Sequence, residues 1–155
     1  MKHPLLKFKY CPKCGSETFI ENNAKSNRCT SCGFTYYFNP SAAVVSVILN
    51  SKNEVLVARR ANDPAKGTFD LPGGFIDLNE TAEEAVKREV YEETGLKVYS
   101  AEYLFTIPNI YNYSDFDVHT VDIFYKCNVL DFSNMNAQDD VSYRLFLKKN
   151  ILKGN

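Results

Sequence analysis

The sequence lacks the features by which a whole chain binds nucleic acid or enters a membrane. Its 155 residues carry a net charge of -1, so no overall field attracts the chain to phosphate groups or to an acidic surface. The longest apolar run, residues 42–49, is far too short to span a bilayer. The N-terminal residues "MKHPLLKFKY" contain neither the apolar core nor the cleavage site of a signal peptide. We therefore expect a soluble, cytoplasmic protein without a membrane partner.

The sequence does contain enough apolar material for a packed core, and it is organised in two regions. Hydrophobic residues make up 45% of the chain, which excludes a disordered protein. We predict one domain over residues 1–38, which are polar and rich in cysteine, and a second over residues 39–155. The second region indicates an α/β fold, in which a mixed sheet packs against at least one helix. Its predicted strands are residues 42–50, 54–60, 96–107, 117–129 and 143–147, and its predicted loops include residues 62–74 and 108–116.

Four of the five cysteines form two pairs with the spacing of a metal site. Cys11 and Cys14 lie in "CPKCG", and Cys29 and Cys32 lie in "CTSCG". The glycine after each pair lets the backbone turn so that both thiolates point at one ion. Four thiolates in a tetrahedron are the preferred structural site of Zn²⁺, with no open position for catalysis, and the metal would supply folding free energy to a region too small to fold alone. Two disulfides or four free thiols are the alternative.

The segment after Leu78 has the signals of an amphipathic helix. Thr81 and Glu84 form a capping-box pair, and Gly95 is placed to end the helix. At 100° per residue the small apolar side chains fall on one side of this helix. These inward-facing residues are Ala82, Ala85, Val86 and Val90.

Three glutamates do not fit the solvated face of such a helix. Glu89 and Glu93 share the inward side, and Glu92 lies at its edge. Because carboxylates three and four residues apart repel one another, the cluster needs a compensating cation. Carboxylate oxygens suit Mg²⁺ or Mn²⁺, which bind best when phosphates of a substrate complete their coordination.

Arg88 is the candidate to hold these acids in position. At four-residue spacing it can reach Glu84 and Glu92, and it can reach Glu80 before the helix. Glu83 and Glu84 are expected to be solvated.

Written as a pattern, the segment resembles the Nudix box, GX5EX7REUXEEXGU. Gly74 is followed after five residues by Glu80 and after seven more by residues 88–96, "REVYEETGL", so every defined position matches. The similarity to the Nudix family extends from about residue 41 to residue 146, and it implies an α/β/α sandwich around a mixed sheet. With the cysteine ribbon and the junction "YYFNP", the chain resembles the zinc-ribbon-containing branch that includes NADH pyrophosphatases. This resemblance implies hydrolysis of a nucleoside diphosphate that is linked to another group.

The resemblance also implies roles for individual residues. Glu89, Glu92, Glu93 and the carbonyl of Gly73 would bind Mg²⁺ or Mn²⁺. A further family acid corresponds to Asp140, which has Asp139 beside it. The general base is then Glu89 or Asp140, and Glu80 would pair with Arg88.

Other residues are candidates to contact the nucleotide substrate. Arg59 and Arg60 end a strand, and because side chains alternate along a strand we expect one of them to contact phosphate and the other to be surface charge. Tyr111, Tyr113 and Phe116, in the predicted loop 108–116, would stack on a base or belong to the core or surface. Lys66 and Phe69 are also candidates to line the pocket.

The chain departs from the family pattern at two places. The nicotinamide-recognition motif SQPWxxPxS is absent, and the region reads "TIPNIYNYSDFDVHT", so the substrate is left open among NAD(H), ADP-ribose, nucleotide sugars and related compounds. The sequence ends at "FLKKNILKGN", where the family continues into a second helix. We expect the sheet to be covered differently there, or by a partner such as a second copy of the chain.

Two other classes of function compete with a diphosphatase. A ligand sensor would use the pocket without turnover, but it would not need three metal-binding acids. An RNA-cap-processing enzyme would hold RNA on the ribbon, although a few solvated lysines are usual on any small module. The basic residues available are Lys7, Lys9, Lys13, Lys25 and Arg28.

Overall fold

The computed structural model describes residues 3–61, 66–135 and 141–148, the last range with side chains only at Phe146 and Leu147. Two compact units make up the chain, Met1–Pro40 and Ser41–Asn155. The candidate acids Asp139 and Asp140 lie outside the described residues, and so does the predicted short tail beyond residue 148.

The first unit is a small antiparallel sheet. Its strands are β1 (Phe19–Asn23), β2 (Ser26–Cys29) and β3 (Thr35–Tyr37), in that order across the sheet. Cys11, Cys29 and Phe19 are buried together, with Phe34 packed against them. So few apolar side chains form a core too small to hold the unit by itself, as expected for a module that needs a further crosslink.

The second unit contains a mixed four-stranded sheet, and this confirms the predicted α/β class. The strands are β4 (Ser41–Ile48), β5 (Glu54–Arg60), β6 (Phe69–Asp70), β7 (Gly73–Phe75), β8 (Val98–Tyr113), β9 (Phe116–Val129) and β10 (Val141–Lys148). The order in the mixed sheet is β7-β4-β9-β8, with β4 and β9 parallel and the other neighbours antiparallel. A separate antiparallel sheet has the order β10-β5-β6.

The single helix of the described residues, α1 (Ala82–Thr94), is the predicted one. The Thr81 side chain accepts a hydrogen bond from the Glu84 N–H, and the Glu84 side chain accepts one from the Thr81 N–H, so the capping box is confirmed. Gly95 ends the helix in the left-handed conformation, with φ of 69°, which glycine adopts without a steric penalty. The helix packs on β7, β4 and β8, and its buried residues are Ala85, Val86, Val90 and Thr94.

The prediction of a loop over residues 108–116 is wrong. β8 and β9 form a continuous hairpin in which Tyr113 pairs with Phe116. The turn residues Ser114 and Asp115 both have positive φ, 51° and 58°, as in the two-residue turn that matches the twist of a hairpin. Pro108 is tolerated because β8 is an edge strand. Side chains in this region therefore point to alternate faces of a sheet.

Candidate active site

Two glycines let strand β7 approach the helix and the neighbouring strand. A Cβ atom on Gly74 would lie 2.5 Å from Glu89 Oε1, and one on Gly73 would lie 2.1 Å from the carbonyl oxygen of Val44. Both distances are far shorter than any real carbon–oxygen contact, so only glycine fits without displacement of its neighbours. The Gly73 N–H lies 3.3 Å from Glu93 Oε2, to which it donates a hydrogen bond. The acids of α1 are thereby brought to the edge of the four-stranded sheet.

Arg88 lies at the centre of these acids. Its Nε and Nη2 donate to the two oxygens of Glu80, both at 2.8 Å. Its Nη1 donates to Glu89 Oε1 at 2.7 Å and to Glu92 Oε2 at 3.0 Å. A further bond joins Nη2 to the carbonyl of Phe75 at 3.1 Å. The planar guanidinium thus makes five hydrogen bonds to three carboxylates and one carbonyl, whereas a lysine has only three donors.

Negative charge exceeds positive charge in the ion pairs of Arg88. Three carboxylates, those of Glu80, Glu89 and Glu92, pair with this one guanidinium. Hydrogen bonds from Arg88 lower the pKa of Glu80 from 4.5 to about 2. Burial raises the pKa of Glu89, although Arg88 acts in the opposite direction. A partly buried site with this excess of negative charge and hard oxygen ligands is suited to a divalent cation such as Mg²⁺.

Replacing Glu80 by glutamine tests its ion pair with Arg88. A carboxylate whose pKa is lowered by folding stabilises the folded state at pH values above its ordinary pKa of 4.5. This stabilisation is lost as the pH falls toward the lowered pKa of about 2. Glu80→Gln is therefore expected to lower the Tm at neutral pH, and the difference from the wild type should shrink as the medium becomes acidic. Glu102→Gln, at an exposed position of β8, is the control. Thermal unfolding followed by circular dichroism measures both, and a difference that does not depend on pH would contradict the ion pair.

The expected contact of Arg88 with Glu84 is wrong, because the carboxylate of Glu84 is used by the helix cap. Glu84 Oε2 accepts from the Thr81 N–H at 2.9 Å and from its hydroxyl at 2.8 Å, and these bonds lower the pKa of Glu84. Glu83 is exposed, as predicted, but it also accepts a hydrogen bond from the hydroxyl of Tyr125 at 3.0 Å.

A cavity of about 550 Å³ lies against the acidic cluster, a size suited to a nucleotide-sized ligand. Glu89, Glu92, Glu93 and Arg88 line it together with Gly73. Sequence reasoning missed several other polar and aromatic residues of the lining. These are Asp70 on β6, Phe75 on β7, Asn109 on β8, and Thr120 and Asp122 on β9. The period-two pattern of a strand would have grouped Asn109 with Tyr111, had residues 108–116 been assigned to a strand.

The two arginines of β5 have different surroundings. Arg60 lines the cavity, and its Nη1 lies 3.4 Å from Asp70 Oδ2. Its Nε is buried and has no hydrogen-bond partner within the described part of the chain. Arg59 is exposed, and its Nε donates to the carbonyl of Gly67 at 2.8 Å. Arg60 is therefore placed to meet a ligand, whereas Arg59 holds the loop that follows β5.

Of the other substrate-binding candidates, Tyr111 lines the cavity. Tyr113 is 61% exposed and stacks on Tyr111, with ring centroids 6.3 Å apart. Phe116 is half-buried at the hairpin turn, while Lys66 and Phe69 are exposed. Among the described residues, the cavity lining includes Tyr111 but not these other four.

The four predicted zinc ligands are close together in the first unit. Their sulfur atoms all lie within 4.8 Å of one another, and Cys11–Cys32 and Cys14–Cys29 have Sγ–Sγ distances of 3.7 Å. A tetrahedron with zinc–sulfur bonds of about 2.3 Å has edges of about 3.8 Å, so the spacing fits Zn²⁺. A disulfide would need about 2.0 Å, and all five cysteines are free thiols.

Each cysteine pair is held by a glycine turn. Gly15 and Gly33 have φ of 73° and 74°. Their N–H groups donate to the carbonyls of Cys11 and Cys29 at 2.8 and 2.9 Å. The two loops thus have the same conformation, and each directs its thiols to the centre of the cluster.

Comparisons with known proteins agree with this architecture. Residues 39–147 match the NUDIX domain family. An ADP-ribose pyrophosphatase of Methanocaldococcus jannaschii is 37% identical over 121 residues, which are 77% of this chain and 68% of that protein. A protein of Haemophilus influenzae named NAD-capped RNA hydrolase NudC is 33% identical over 110 residues, 70% of this chain. The chain spans only 41% of the length of that relative.

A solved structure shows the same fold. A NUDIX hydrolase from Nitrosomonas europaea superimposes with a TM-score of 0.69, covering 92% of this chain and 78% of that one at 23% identity. In the part of our structure that is described, no helix has the length and apolar character needed to cross a membrane. The family match covers most of the chain, and it includes the helix and the glycine strand that form the acidic site. The chain therefore belongs to the Nudix hydrolase family.

Proposed function

We propose that this protein is a Mg²⁺-dependent diphosphatase that acts on a nucleoside diphosphate linked to a second group. The observation that carries the proposal is the cavity lined by Glu89, Glu92 and Glu93, two of which pair with Arg88. The relatives named ADP-ribose pyrophosphatase and NAD-capped RNA hydrolase support a substrate of the ADP-ribose or NAD(H) type. Nucleotide sugars are chemically related candidates.

The acids of α1 would hold the cation. Glu89, Glu92 and Glu93 supply carboxylate oxygens, and the carbonyl of Gly73 is a further ligand candidate. When bound, the ion neutralises charge on the diphosphate and lowers the pKa of a bound water. Arg88 and Glu80 position these ligands, because the guanidinium binds Glu80 through two bonds while it also holds Glu89 and Glu92.

Residues at the rest of the cavity would bind the substrate. The buried Nε of Arg60 offers a donor to a phosphate oxygen. Tyr111 offers an aromatic face to a base. The general base is either Glu89, whose pKa is raised by burial, or Asp140, which lies outside the described residues.

The cysteine cluster would bind one structural Zn²⁺. The Sγ–Sγ distances of 3.7 Å support this assignment, since they match a tetrahedral site. The four sulfurs leave no position for a substrate, so the zinc would stabilise the first unit without taking part in hydrolysis.

A second candidate function is the removal of a nucleotide cap from RNA. It is favoured by the similarity to the proteins named NAD-capped RNA hydrolase. In that case the first unit would contact the RNA, and affinity would fall steeply with salt because phosphate contacts release counterions.

A substrate panel with Mg²⁺ distinguishes these functions. The panel contains ADP-ribose, NADH, ADP-glucose and NAD-capped RNA, and release of AMP or of a 5′-monophosphate RNA is measured. We expect AMP from ADP-ribose or NADH. Turnover of capped RNA alone would favour the second function, and no turnover of any compound would contradict both.

Replacing Gly74 by alanine is expected to damage the site although no charged residue is replaced. The new Cβ of Gly74→Ala would lie 2.5 Å from Glu89 Oε1, so the carboxylate must move. A shift of about 1 Å at a catalytic group costs about 100-fold in rate. Steady-state kinetics should show that loss in kcat, while thermal unfolding should show a folded protein. Full activity of the variant would mean that Glu89 is not needed at its observed position.

A further inference from the structure

Two acidic residues that line the cavity lie outside α1: Asp70, which pairs with Arg60, and Asp122. Asp122 lies on β9, where it pairs across the sheet with Ala43 on β4 and with Ile107 on β8. Asp122 is half-buried and lines the cavity. Only β4 separates β9 from β7, and two strand spacings amount to about 10 Å. The Asp122 carboxylate thus lies two strands away from β7, the strand that contains Gly73 and Gly74 and packs against α1.

Asp122 is held in one orientation by two neighbours. Asn109 Nδ2 donates to Asp122 Oδ2 at 2.9 Å, and the Thr120 hydroxyl donates to Asp122 Oδ1 at 2.7 Å. The amide of Asn109 is itself oriented, because its Oδ1 accepts from the Ile110 N–H at 2.8 Å. Thr120 is 5% exposed, so its hydroxyl has little freedom to turn toward water. The carboxylate is therefore preorganised before any ligand binds.

The two oxygens of Asp122 retain capacity to accept hydrogen bonds. An ionised carboxylate has about four acceptor sites, and Asn109 and Thr120 occupy one on each oxygen. A ligand with two adjacent donors can therefore use one remaining site on each oxygen. The 2′- and 3′-hydroxyls of a ribose form such a pair. A phosphate group cannot, because it is anionic and offers acceptors.

A second Asp–Asn pair lies on the same hairpin but outside the described lining of the cavity. Asn112 Nδ2 donates to Asp117 Oδ1 at 3.0 Å. Both residues are exposed, and neither is among the described residues that line the cavity. This pair has the same side-chain chemistry as the Asn109–Asp122 pair and lies on the same two strands. A substitution in it therefore shows the effect of losing a cross-strand hydrogen bond at a position that does not line the cavity.

We propose that Asp122 is a ribose-binding subsite, which accepts hydrogen bonds from the 2′,3′-diol of the nucleoside next to the diphosphate. The subsite rests on the proposed function, because it requires a nucleoside diphosphate in the cavity. The proposal assigns two neighbouring groups of the substrate to residues of opposite charge. Arg60 takes the phosphate and Asp122 takes the neutral hydroxyls. Asp122 is then a specificity residue that favours ribose over deoxyribose.

The test compares two ligands and two variants. The ligands are ADP-ribose and its analogue with 2′-deoxyribose in the adenosine part. A site built to hydrogen-bond a hydroxyl discriminates strongly against an analogue that lacks it, and we expect a wild-type preference of about 30-fold or more in kcat/KM. In Asp122→Asn the preference should fall to within about threefold, with most of the loss in KM rather than in kcat. Asp117→Asn, the matched control, should keep the wild-type preference.

Binding measurements make the result independent of turnover. Calorimetry with the non-hydrolysable α,β-methylene analogues of both ligands should show the same preference and the same loss in Asp122→Asn. If the wild type binds these analogues selectively but hydrolyses nothing, the subsite stands and the proposed diphosphatase function fails. If Asp122→Asn retains the preference, or if it loses kcat at an unchanged KM, the subsite is overturned.

A second variant tests the proposal if Asp122→Asn destabilises the fold. Should Asp122→Asn lower the Tm, Asn109→Ala leaves the carboxylate in place and removes one of the donors that orient it. This variant is expected to show a partial loss of the ribose preference at unchanged Tm. An unchanged preference in Asn109→Ala, together with an unfolded Asp122→Asn, would also overturn the proposal.

Discussion

Replacing Glu92 by glutamine is expected to lower kcat/KM for the diphosphate substrate by about 1,000-fold or more. Glutamine has nearly the same shape and keeps an oxygen that can accept from Arg88, whose Nη1 lies 3.0 Å from Glu92 Oε2. It removes one negative charge, however, from the group of acids proposed to bind Mg²⁺. The loss should therefore fall on metal binding and turnover and not on folding.

The control is Glu83→Gln on the same helix. Glu83 is exposed and outside the described lining of the cavity, and glutamine can still accept from the Tyr125 hydroxyl. Activity should be measured over a range of Mg²⁺ concentrations, with thermal unfolding in parallel. A Glu92→Gln enzyme with nearly normal activity at all Mg²⁺ concentrations would refute the metal-site assignment. An equal loss in Glu83→Gln would show that the effect is not specific to the site.

Replacing Cys29 by serine is expected to abolish zinc binding and to unfold the first unit. Cys29 is fully buried, and its Sγ lies 3.7 Å from that of Cys14. Structural zinc sites contribute on the order of 10 kcal/mol to the folding of small modules. The buried core around Cys29 contains few other apolar side chains, so it cannot compensate for that loss.

Cys127→Ala is the matched control for the cysteine substitution. Cys127 is also buried, but it lies on β9 of the second unit, where burial raises the pKa of its thiol to about 11. Elemental analysis should find one zinc per chain in the wild type and in Cys127→Ala, and none in Cys29→Ser. Amide NMR spectra should lose dispersion only for residues of the first unit. Full zinc content or a folded first unit in Cys29→Ser would contradict the structural-zinc proposal.

The helix and its acids were predictable from sequence because their determinants are local. The capping box at Thr81, the left-handed Gly95 and the inward apolar stripe depend on residues no more than a few positions apart. The cysteine cluster was predictable for a similar reason, since each glycine turn is formed within five residues. In both cases the sequence spacing sets the geometry directly.

The opposite wall of the cavity was not predictable in the same way. Residues 108–116, predicted to be a loop, lie in a hairpin although they include proline, asparagine and serine, which favour turns. Pairing of Tyr113 with Phe116 and the edge position of β8 outweighed local preference. The missed residue Asp122 depended on this pairing, because only the strand register brings Asn109 beside it.

The choice of partner for Arg88 also required the fold. Sequence spacing offered Glu84 and Glu92 equally, since each is four residues from Arg88 on the helix. In the structure the capping box engages Glu84, and the carbonyl of Phe75 joins the expected partner Glu80 at the guanidinium. A side chain with five donors meets the acceptors that neighbouring elements bring to it, and helical periodicity does not contain that information.

By itself, the sequence determined the family, the helix that carries the acids, and the cysteine set suited to zinc, because each of these is encoded in short, regular spacings. The tertiary structure alone decided which arginine of β5 faces the cavity, how three glutamates share Arg88, and that Asp122 lies on the wall formed by β9. The physical reason is that these contacts join residues far apart in the chain. They arise from strand pairing and from the close approach at Gly73 and Gly74, where side chains from separate elements meet.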